Sequence, residues 1–177
     1  MPRIGGIKKE IRIVGFDNGG TKRVKKVNLV GAVFRGGLWL EGLIKTEVET
    51  QDDVTERLVE ALRISRHIKQ LRVIMFNKVK LAGKEVNLQK VHEALELPVI
   101  LVRGRPWSSE GREGTKAEGL QKVRITVGQT RRTVYVKPIG IDVETARKIL
   151  ENASIRKGFP EPLRVARLAA KAANSLR

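Results

Sequence analysis

The sequence contains no cysteine. Disulfide bonds and thiolate metal sites are therefore excluded, and an intracellular location is the simpler expectation. The first ten residues, MPRIGGIKKE, lack the apolar segment of a signal peptide, and no apolar run approaches transmembrane length. We therefore expect a cytoplasmic protein that does not associate with membranes.

Aromatic residues are also scarce, at 4% of the 177 residues. This is too few for a general platform on which single-stranded bases stack. The sequence has no helix-turn-helix signature, no set of zinc ligands and no aromatic strand motif of the RNP type. Contacts between basic side chains and the phosphates of a folded partner are therefore favoured over base-specific readout.

Positive charge, in contrast, is abundant: 36 Lys and Arg against 19 Asp and Glu give a net charge of +17. The acids are concentrated in residues 41–60, which hold seven acids and two bases, so the rest of the chain carries +22. Such an excess predicts a polyanionic partner. No basic helix has the broad apolar face of a membrane-surface helix, so nucleic acid is the favoured partner.

The pattern of apolar residues and turn signals predicts three strands, two alternating helix–strand units, a hairpin and two final helices. The expected strands are 7–17, 27–35, 38–49, 71–77 and 97–103, with a hairpin over 122–127 and 131–138. The expected helices are 53–70, begun by Asp52 or Asp53, then 84–97, 143–152 behind Asp142, and a last helix from the Pro-Glu-Pro sequence to the C-terminus.

This order predicts an α/β fold in which a mixed sheet carries helices on its faces. The same order is typical of the ribonuclease-H-like fold. We expect a single domain over residues 1–177, with a mobile surface loop at 104–120, where four glycines and mixed charges interrupt the pattern. The hairpin and helices of 121–177 are expected to be integral to that domain.

Several stretches together resemble one family. The segments RIVGFDNG, LVGAVFRGGLWLEGLIKTEVE, DVTERL, LRVIMFN followed by LAG, LPVILV and GFPEPLRVA are similar, in this order, to the archaeal endonuclease-dU family. That family is a relative of endonuclease V. The resemblance implies a single endonuclease-V-like domain with the ribonuclease-H-like fold. It also implies, for active members, Mg²⁺-dependent cleavage of DNA near a deaminated base.

The resemblance also indicates where catalytic acids would stand. Asp17 ends the first strand, where the first acid is expected; Asp52 or Asp53 at the helix start would supply a second. Asn77 occupies the place of a third. Mg²⁺ prefers clustered carboxylates that leave room for water. Each acid also has a simpler interpretation, since Asp17-Asn18-Gly19 favours a tight turn and the aspartates before a helix act as caps.

Several positions depart from the family pattern. Asn18 stands where a second acid is common, Lys78 and Lys80 crowd the expected cleft, and Arg167 replaces a histidine. A guanidinium cannot ligate a metal and stays protonated, so near Asp17 it would repel Mg²⁺. We therefore hypothesise an Arg167–Asp17 pair in a catalytically degenerate cleft. No cofactor is then expected, and Mg²⁺ only if the protein is an active nuclease.

Basic clusters are the expected nucleic-acid contacts. Any one of them could be an ordinary solvated surface, but together with the net charge they favour binding. On the last helix the spacing of three and four places the cations on one face. The candidate residues are Lys22, Arg23, Lys25, Lys26, Lys78, Lys80, Arg103, Arg105, Trp107, Arg131, Arg132, Arg164, Arg167 and Lys171.

The first hypothesis is therefore an inactive or weakened relative of endonuclease dU that binds structured RNA in a ribonucleoprotein such as the ribosome. The second is an active Mg²⁺-dependent endonuclease that uses Asp17 and an acid near residue 53 to cleave DNA at deoxyuridine or inosine. A third, weaker hypothesis is a structural protein on chromosomal DNA.

Overall fold

A computed structural model of the chain describes residues 7–20, 25–104, 119–155 and 159–176. The strands are β1 (Arg12–Asp17), β2 (Lys26–Arg35), β3 (Trp39–Glu49), β4 (Val73–Phe76), β5 (Lys80–Leu81), β6 (Lys84–Glu85), β7 (Val99–Arg103), β8 (Gln121–Val127) and β9 (Thr130–Ile139). The helices are α1 (Val54–Ile64), α2 (Leu88–Leu95), α3 (Val143–Ala153) and α4 (Glu161–Ser175).

Seven strands form one mixed sheet in the order β3-β2-β1-β4-β7-β9-β8. β1 is antiparallel to β2 and parallel to β4, β4 is parallel to β7, and β9 returns antiparallel to β7. The carboxyl ends of β1 and β4 therefore meet at one edge of the sheet. The predicted α/β class is confirmed, and the C-terminal hairpin β8–β9 extends the sheet on one side.

Alternation along the strands divides the core between the two faces of the sheet. Val14 and Phe16 pack toward α1 and α2, and Phe16 stacks on Phe76 with ring centroids 6.1 Å apart. Ile13 and Met75 pack on the other face toward α3. Asp17, one residue after Phe16, therefore takes the face that α3 and α4 cover.

Small residues bring α4 close to β1 and β2. A Cβ atom on Gly15 would lie 2.7 Å from the backbone carbon of Pro162, so only glycine fits at this crossing. Ala166 and Ala170 on the facing side of the helix are fully buried. The close approach of α4 is what removes the end of β1 from water.

Two predicted helices differ from the structure at one end. The helix predicted to run to residue 70 ends at Ile64, and the helix predicted from residue 84 begins at Leu88. In the second case β5 and β6 form a small hairpin through Ala82 and Gly83, whose φ angles are 53° and 75°. Local turn geometry there takes precedence over the helical periodicity that the sequence suggested.

The predicted caps are confirmed. The Asp53 side chain accepts hydrogen bonds from the backbone N–H groups of Thr55 and Glu56, and Asp142 caps α3 in the same way. Most of the predicted loop 104–120 lies outside the described residues. Within the described residues, no helix has the length and apolar character needed to cross a membrane.

Candidate functional site

Asp17 lies at the carboxyl end of β1 and has no solvent-exposed surface. Its Oδ1 atom accepts a hydrogen bond of 2.6 Å from the backbone N–H of Gly19, which closes a tight turn. Gly19 and Gly20 both have positive φ angles, of 69° and 76°. Asp17 thus ends a strand, as the catalytic-acid interpretation required, and Asp17–Gly20 form a tight turn, as the simpler interpretation required.

Lys78 is the cation that meets this carboxylate. Its Nζ atom lies 3.3 Å from Asp17 Oδ1, and the lysine side chain is 31% exposed. The pairing of Phe16 with Phe76 places Asn77 beside Asp17, with Lys78 next along the chain. Asp17 Oδ2 and Asn77 Oδ1 are buried without a hydrogen-bond partner among the described residues. Two buried oxygen acceptors at the ends of β1 and β4 are therefore left unsatisfied by the described parts of the chain, while Oδ1 of Asp17 takes the ammonium group.

The Arg167–Asp17 pair predicted from the sequence is wrong. Arg167 is exposed on the outer side of α4, whereas Ala166 and Ala170 occupy the side that faces the sheet. The ion pair of Asp17 is with Lys78 instead. The sequence placed Lys78 beside the cleft, and its position two residues after the end of β4 was the signal that could have identified it.

The donor set at Asp17 does not fit a resident Mg²⁺ ion. One carboxylate and two amides remain, because Asn18 and Asn77 take places where acids were expected, and Lys78 already neutralises the carboxylate. Two unit charges 4 Å apart repel by about 4 kcal/mol near a protein surface, and a divalent ion beside an ammonium by about twice that. Among the described residues no three acids or histidines lie close enough together to hold a metal.

Asp53 is engaged as the cap of α1. Its Oδ1 atom lies 2.7 Å from the amide nitrogen of Thr55 and 3.2 Å from that of Glu56. These backbone hydrogen bonds, the one from Glu56 foremost, lower the pKa of Asp53. Its Oδ2 lies 4.0 Å from Lys90 Nζ, in a groove of about 450 Å³ that Asp17 does not line.

Asn174, which the sequence interpretation missed, fixes α4 over this end of the sheet. Its Oδ1 accepts from the backbone N–H of Asn28 at 2.8 Å. Its Nδ2 donates to the carbonyl oxygens of Asn28 and Asn18, at 3.0 and 3.2 Å. One amide side chain thus satisfies backbone groups on β2 and on the turn after β1. A polar residue at helical spacing from Ala170 was the only sequence signal.

Several of the described basic candidates pair with acids. Lys26 pairs with Glu47 and Glu49, Arg164 with Glu161, and Lys78 with Asp17. The hydrogen bond that Lys26 donates to Glu49 raises the pKa of Lys26, and the one that Arg164 donates to Glu161 raises the pKa of Arg164. Lys25, Lys80, Arg131, Arg132, Arg167 and Lys171 are exposed, as are Lys26 and Arg164, while Arg103 is half-buried.

Lys171 lies beside the turn that contains Asp17. A Cβ atom on Gly19 would come within 2.6 Å of the Lys171 Cα, so the turn rests directly on α4 at that residue. The end of β1 therefore has Lys78 at its buried carboxylate and the exposed Lys171 beside its turn. Four predicted contact residues lie outside the described ranges: Lys22, Arg23, Arg105 and Trp107.

Residues 9–174 match the sequence pattern of the family described as Endonuclease dU. The chain belongs to the endonuclease dU family. The resemblance inferred from the sequence motifs is thereby confirmed. A UPF0215 protein of Methanothermobacter thermautotrophicus is 36% identical to this member over 184 residues, covering 93% of this chain and 88% of that protein.

Solved structures place this endonuclease dU family member in a known fold. A protein of unknown function from Archaeoglobus fulgidus superposes with a TM-score of 0.75 at 25% identity, over 92% of this chain and 98% of that one. Endonuclease V of Ciona intestinalis, in complex with inosine-containing DNA, gives a TM-score of 0.65 at 12% identity, over 94% and 87% of the two chains. The ribonuclease-H-like fold predicted from the sequence is confirmed.

Proposed function

We propose that this protein binds structured nucleic acid in the cytoplasm without metal-dependent cleavage. We further propose that its partner is folded RNA within a ribonucleoprotein such as the ribosome. The observation that carries the proposal is the ion pair between Lys78 and the buried Asp17. The ammonium group takes the charge-neutralising role that a metal would have in a nuclease of this fold.

Burial supports the same proposal. A carboxylate that holds a catalytic metal must share that ion with a phosphate and with water. Asp17 has no exposed surface, because α4 covers its face of the sheet. Asp53, the other predicted acid, is committed to capping α1. The chemistry available at the end of β1 is thus electrostatic stabilisation of the turn rather than hydrolysis.

The distribution of charge supports a polyanionic partner. Arg167 and Lys171 are exposed on α4 and have no ion pair within the described parts of the chain. Lys25, Lys80 and Arg131 are likewise exposed. Cations that are not neutralised internally are available for phosphates, and their contacts weaken steeply with salt.

A second candidate function is a Mg²⁺-dependent endonuclease that acts on DNA at deoxyuridine or inosine. Membership of the endonuclease dU family favours it, as does the likeness of the fold to an endonuclease V bound to inosine-containing DNA. This function would require Lys78 to leave Asp17 when metal and substrate bind. The two candidates therefore differ in whether Asp17 is needed.

One pair of experiments separates the candidates. The native protein is isolated from cells and the attached nucleic acid is sequenced; ribosomal or other structured RNA is the expected result. In parallel, the wild type and Asp17→Asn are assayed for nicking of uracil- and inosine-containing DNA with Mg²⁺ or Mn²⁺. We expect no metal-dependent nicking by either. Efficient nicking by the wild type, lost in Asp17→Asn, would establish the endonuclease and refute the proposal.

A further inference from the structure

The strands β7, β9 and β8 bring together cations that lie far apart in the sequence. Arg103 on β7 is directly opposite Tyr135 on β9, and Tyr135 is opposite Lys122 on β8. Side chains opposite one another in a sheet share a face. The three residues thus form one row across the strands, with Tyr135 between two cations.

Alternation extends this row into a surface, because every second residue of a strand shares its face. We call this surface the basic sheet face. Its positions are Arg103, Lys122, Arg124, Thr126, Arg131, Thr133, Tyr135 and Lys137, whereas Val99, Leu101 and Ile139 continue the same face into the apolar core. Five of these eight positions carry a cation and none carries an acid.

Burial confirms which side of the hairpin faces solvent. Val123, Ile125, Val134 and Val136 are buried against α3, on the opposite side of the same strands. Lys122, Arg124 and Arg131 are exposed, and Tyr135 and Lys137 are half-exposed. The hairpin therefore turns an apolar side inward and a basic side outward.

Sequence reasoning found only part of this surface. It selected Arg103, Arg131 and Arg132, but Arg132 is opposite Ile125 and so belongs to the other face. Lys122, Arg124, Tyr135 and Lys137 were missed, although the alternation of basic and apolar residues in QKVRITV was visible.

We propose that the basic sheet face binds a single-stranded loop of RNA, with the cations on the phosphates and a base stacked on Tyr135. This inference rests on the proposed nucleic-acid binding and identifies the surface of the protein that makes the contact. Charge complementarity selects the occupant, since a row of cations without acids suits a phosphate backbone. A ring set among those cations suits an unpaired base, which loops of folded RNA expose and duplexes do not.

The test measures affinity by fluorescence anisotropy with a labelled RNA hairpin that has an unpaired loop, over a series of salt concentrations. The test variant is Lys122→Gln/Arg124→Gln/Arg131→Gln/Lys137→Gln. The matched control, Lys45→Gln/Arg63→Gln/Arg66→Gln/Lys69→Gln, removes the same number of lysines and arginines from other exposed positions. Both variants lose four positive charges. A difference in their RNA affinity therefore reflects where the charges lie and not the net charge of the protein.

We expect the test variant to bind at least about tenfold more weakly than the control, and to show a salt dependence shallower by roughly 0.7 per lost phosphate contact. Circular dichroism of both variants verifies that they are folded. Tyr135→Phe, which keeps the ring, should bind within about twofold of the wild type. Tyr135→Leu should bind roughly fivefold or more weakly, because base stacking is lost.

The outcomes distinguish this surface from the proposed function itself. A wild type that binds RNA while the test and control variants bind equally overturns the basic sheet face and leaves nucleic-acid binding intact. A wild type that binds only a fully paired duplex, or only DNA, overturns the RNA loop as occupant. A wild type that binds no nucleic acid overturns both proposals.

Discussion

Lys78 Nζ lies 3.3 Å from Asp17 Oδ1, and the carboxylate that it neutralises is completely buried. Removing one partner of such a pair leaves an uncompensated charge. The exposed fraction of Lys78 reduces that cost by solvent screening. Loss of the lysine should therefore both destabilise this end of the sheet and leave a carboxylate that can bind another cation.

We expect Lys78→Met to lower the free energy of unfolding by about 2 kcal/mol and to create a weak Mn²⁺ site. The freed carboxylate and the amide oxygen of Asn77 are hard ligands, and bound metal should raise the melting temperature. Thermal unfolding and electron paramagnetic resonance of Mn²⁺ measure the two effects.

The control for that experiment is the double variant Asp17→Asn/Lys78→Met, in which no charge remains at the site. It should regain stability without metal and should bind no Mn²⁺. Equal Mn²⁺ binding by the wild type and Lys78→Met would contradict the assignment of Lys78 as the substitute cation.

Neighbouring glycines in the turn after β1 provide a second prediction. Gly19 and Gly20 both have positive φ, but only Gly19 faces α4, where a Cβ atom would meet the backbone of Lys171. Gly20→Ala should cost about 1 kcal/mol from backbone strain alone. Gly19→Ala should cost at least about 2 kcal/mol more, because the helix must shift. Urea denaturation measures both, and equal costs would show that the turn does not rest on α4.

Asn174 carries the third prediction. Asn174→Ala leaves three backbone groups of Asn28 and Asn18 without this partner and should cost about 2–3 kcal/mol. Asn152→Ala is the matched control, since Asn152 is also helical and its side chain donates one exposed hydrogen bond, to Lys8 O. It should cost under about 1 kcal/mol. A similar loss in both variants would argue against Asn174 as the residue that fixes α4.

Asp53 gives a prediction for pH. Its pKa is lowered in the folded state by the amide groups it caps. Its contribution is therefore present above the ordinary aspartate pKa of about 4 and is lost as the pH falls through the lower, folded value. Asp53→Ala should cost about 1 kcal/mol at neutral pH and progressively less in acid.

Asp53→Asn serves as the comparison, because asparagine caps helices without titrating. This variant should keep the stability of the wild type at neutral pH and lack the acid-dependent loss of the cap. Chemical denaturation at a series of pH values measures the difference. A constant difference between the wild type and Asp53→Asn across the acid range would show that the cap is not the titrating element.

Much of the fold could be predicted from local sequence. The strand that ends at Asp17, the cap at Asp53 and the hairpin at Gly36 and Gly37 depend on neighbours within a few residues. The start of α2 at Leu88 could not be predicted, because the β5–β6 hairpin competes with a helical pattern of similar strength. The outcome there depended on turn geometry that periodicity does not encode.

Less of the candidate site than of the fold could be predicted from local sequence. The sequence by itself determined the charge of the chain, its family and the residue at the end of β1. Only the tertiary structure decided that Lys78 and not Arg167 meets Asp17, because parallel β1 and β4 end together while α4 turns Arg167 to solvent. Strand register likewise joined Arg103, Tyr135 and Lys122 into one row. Contacts between distant segments follow from register and packing, which no short stretch of sequence specifies.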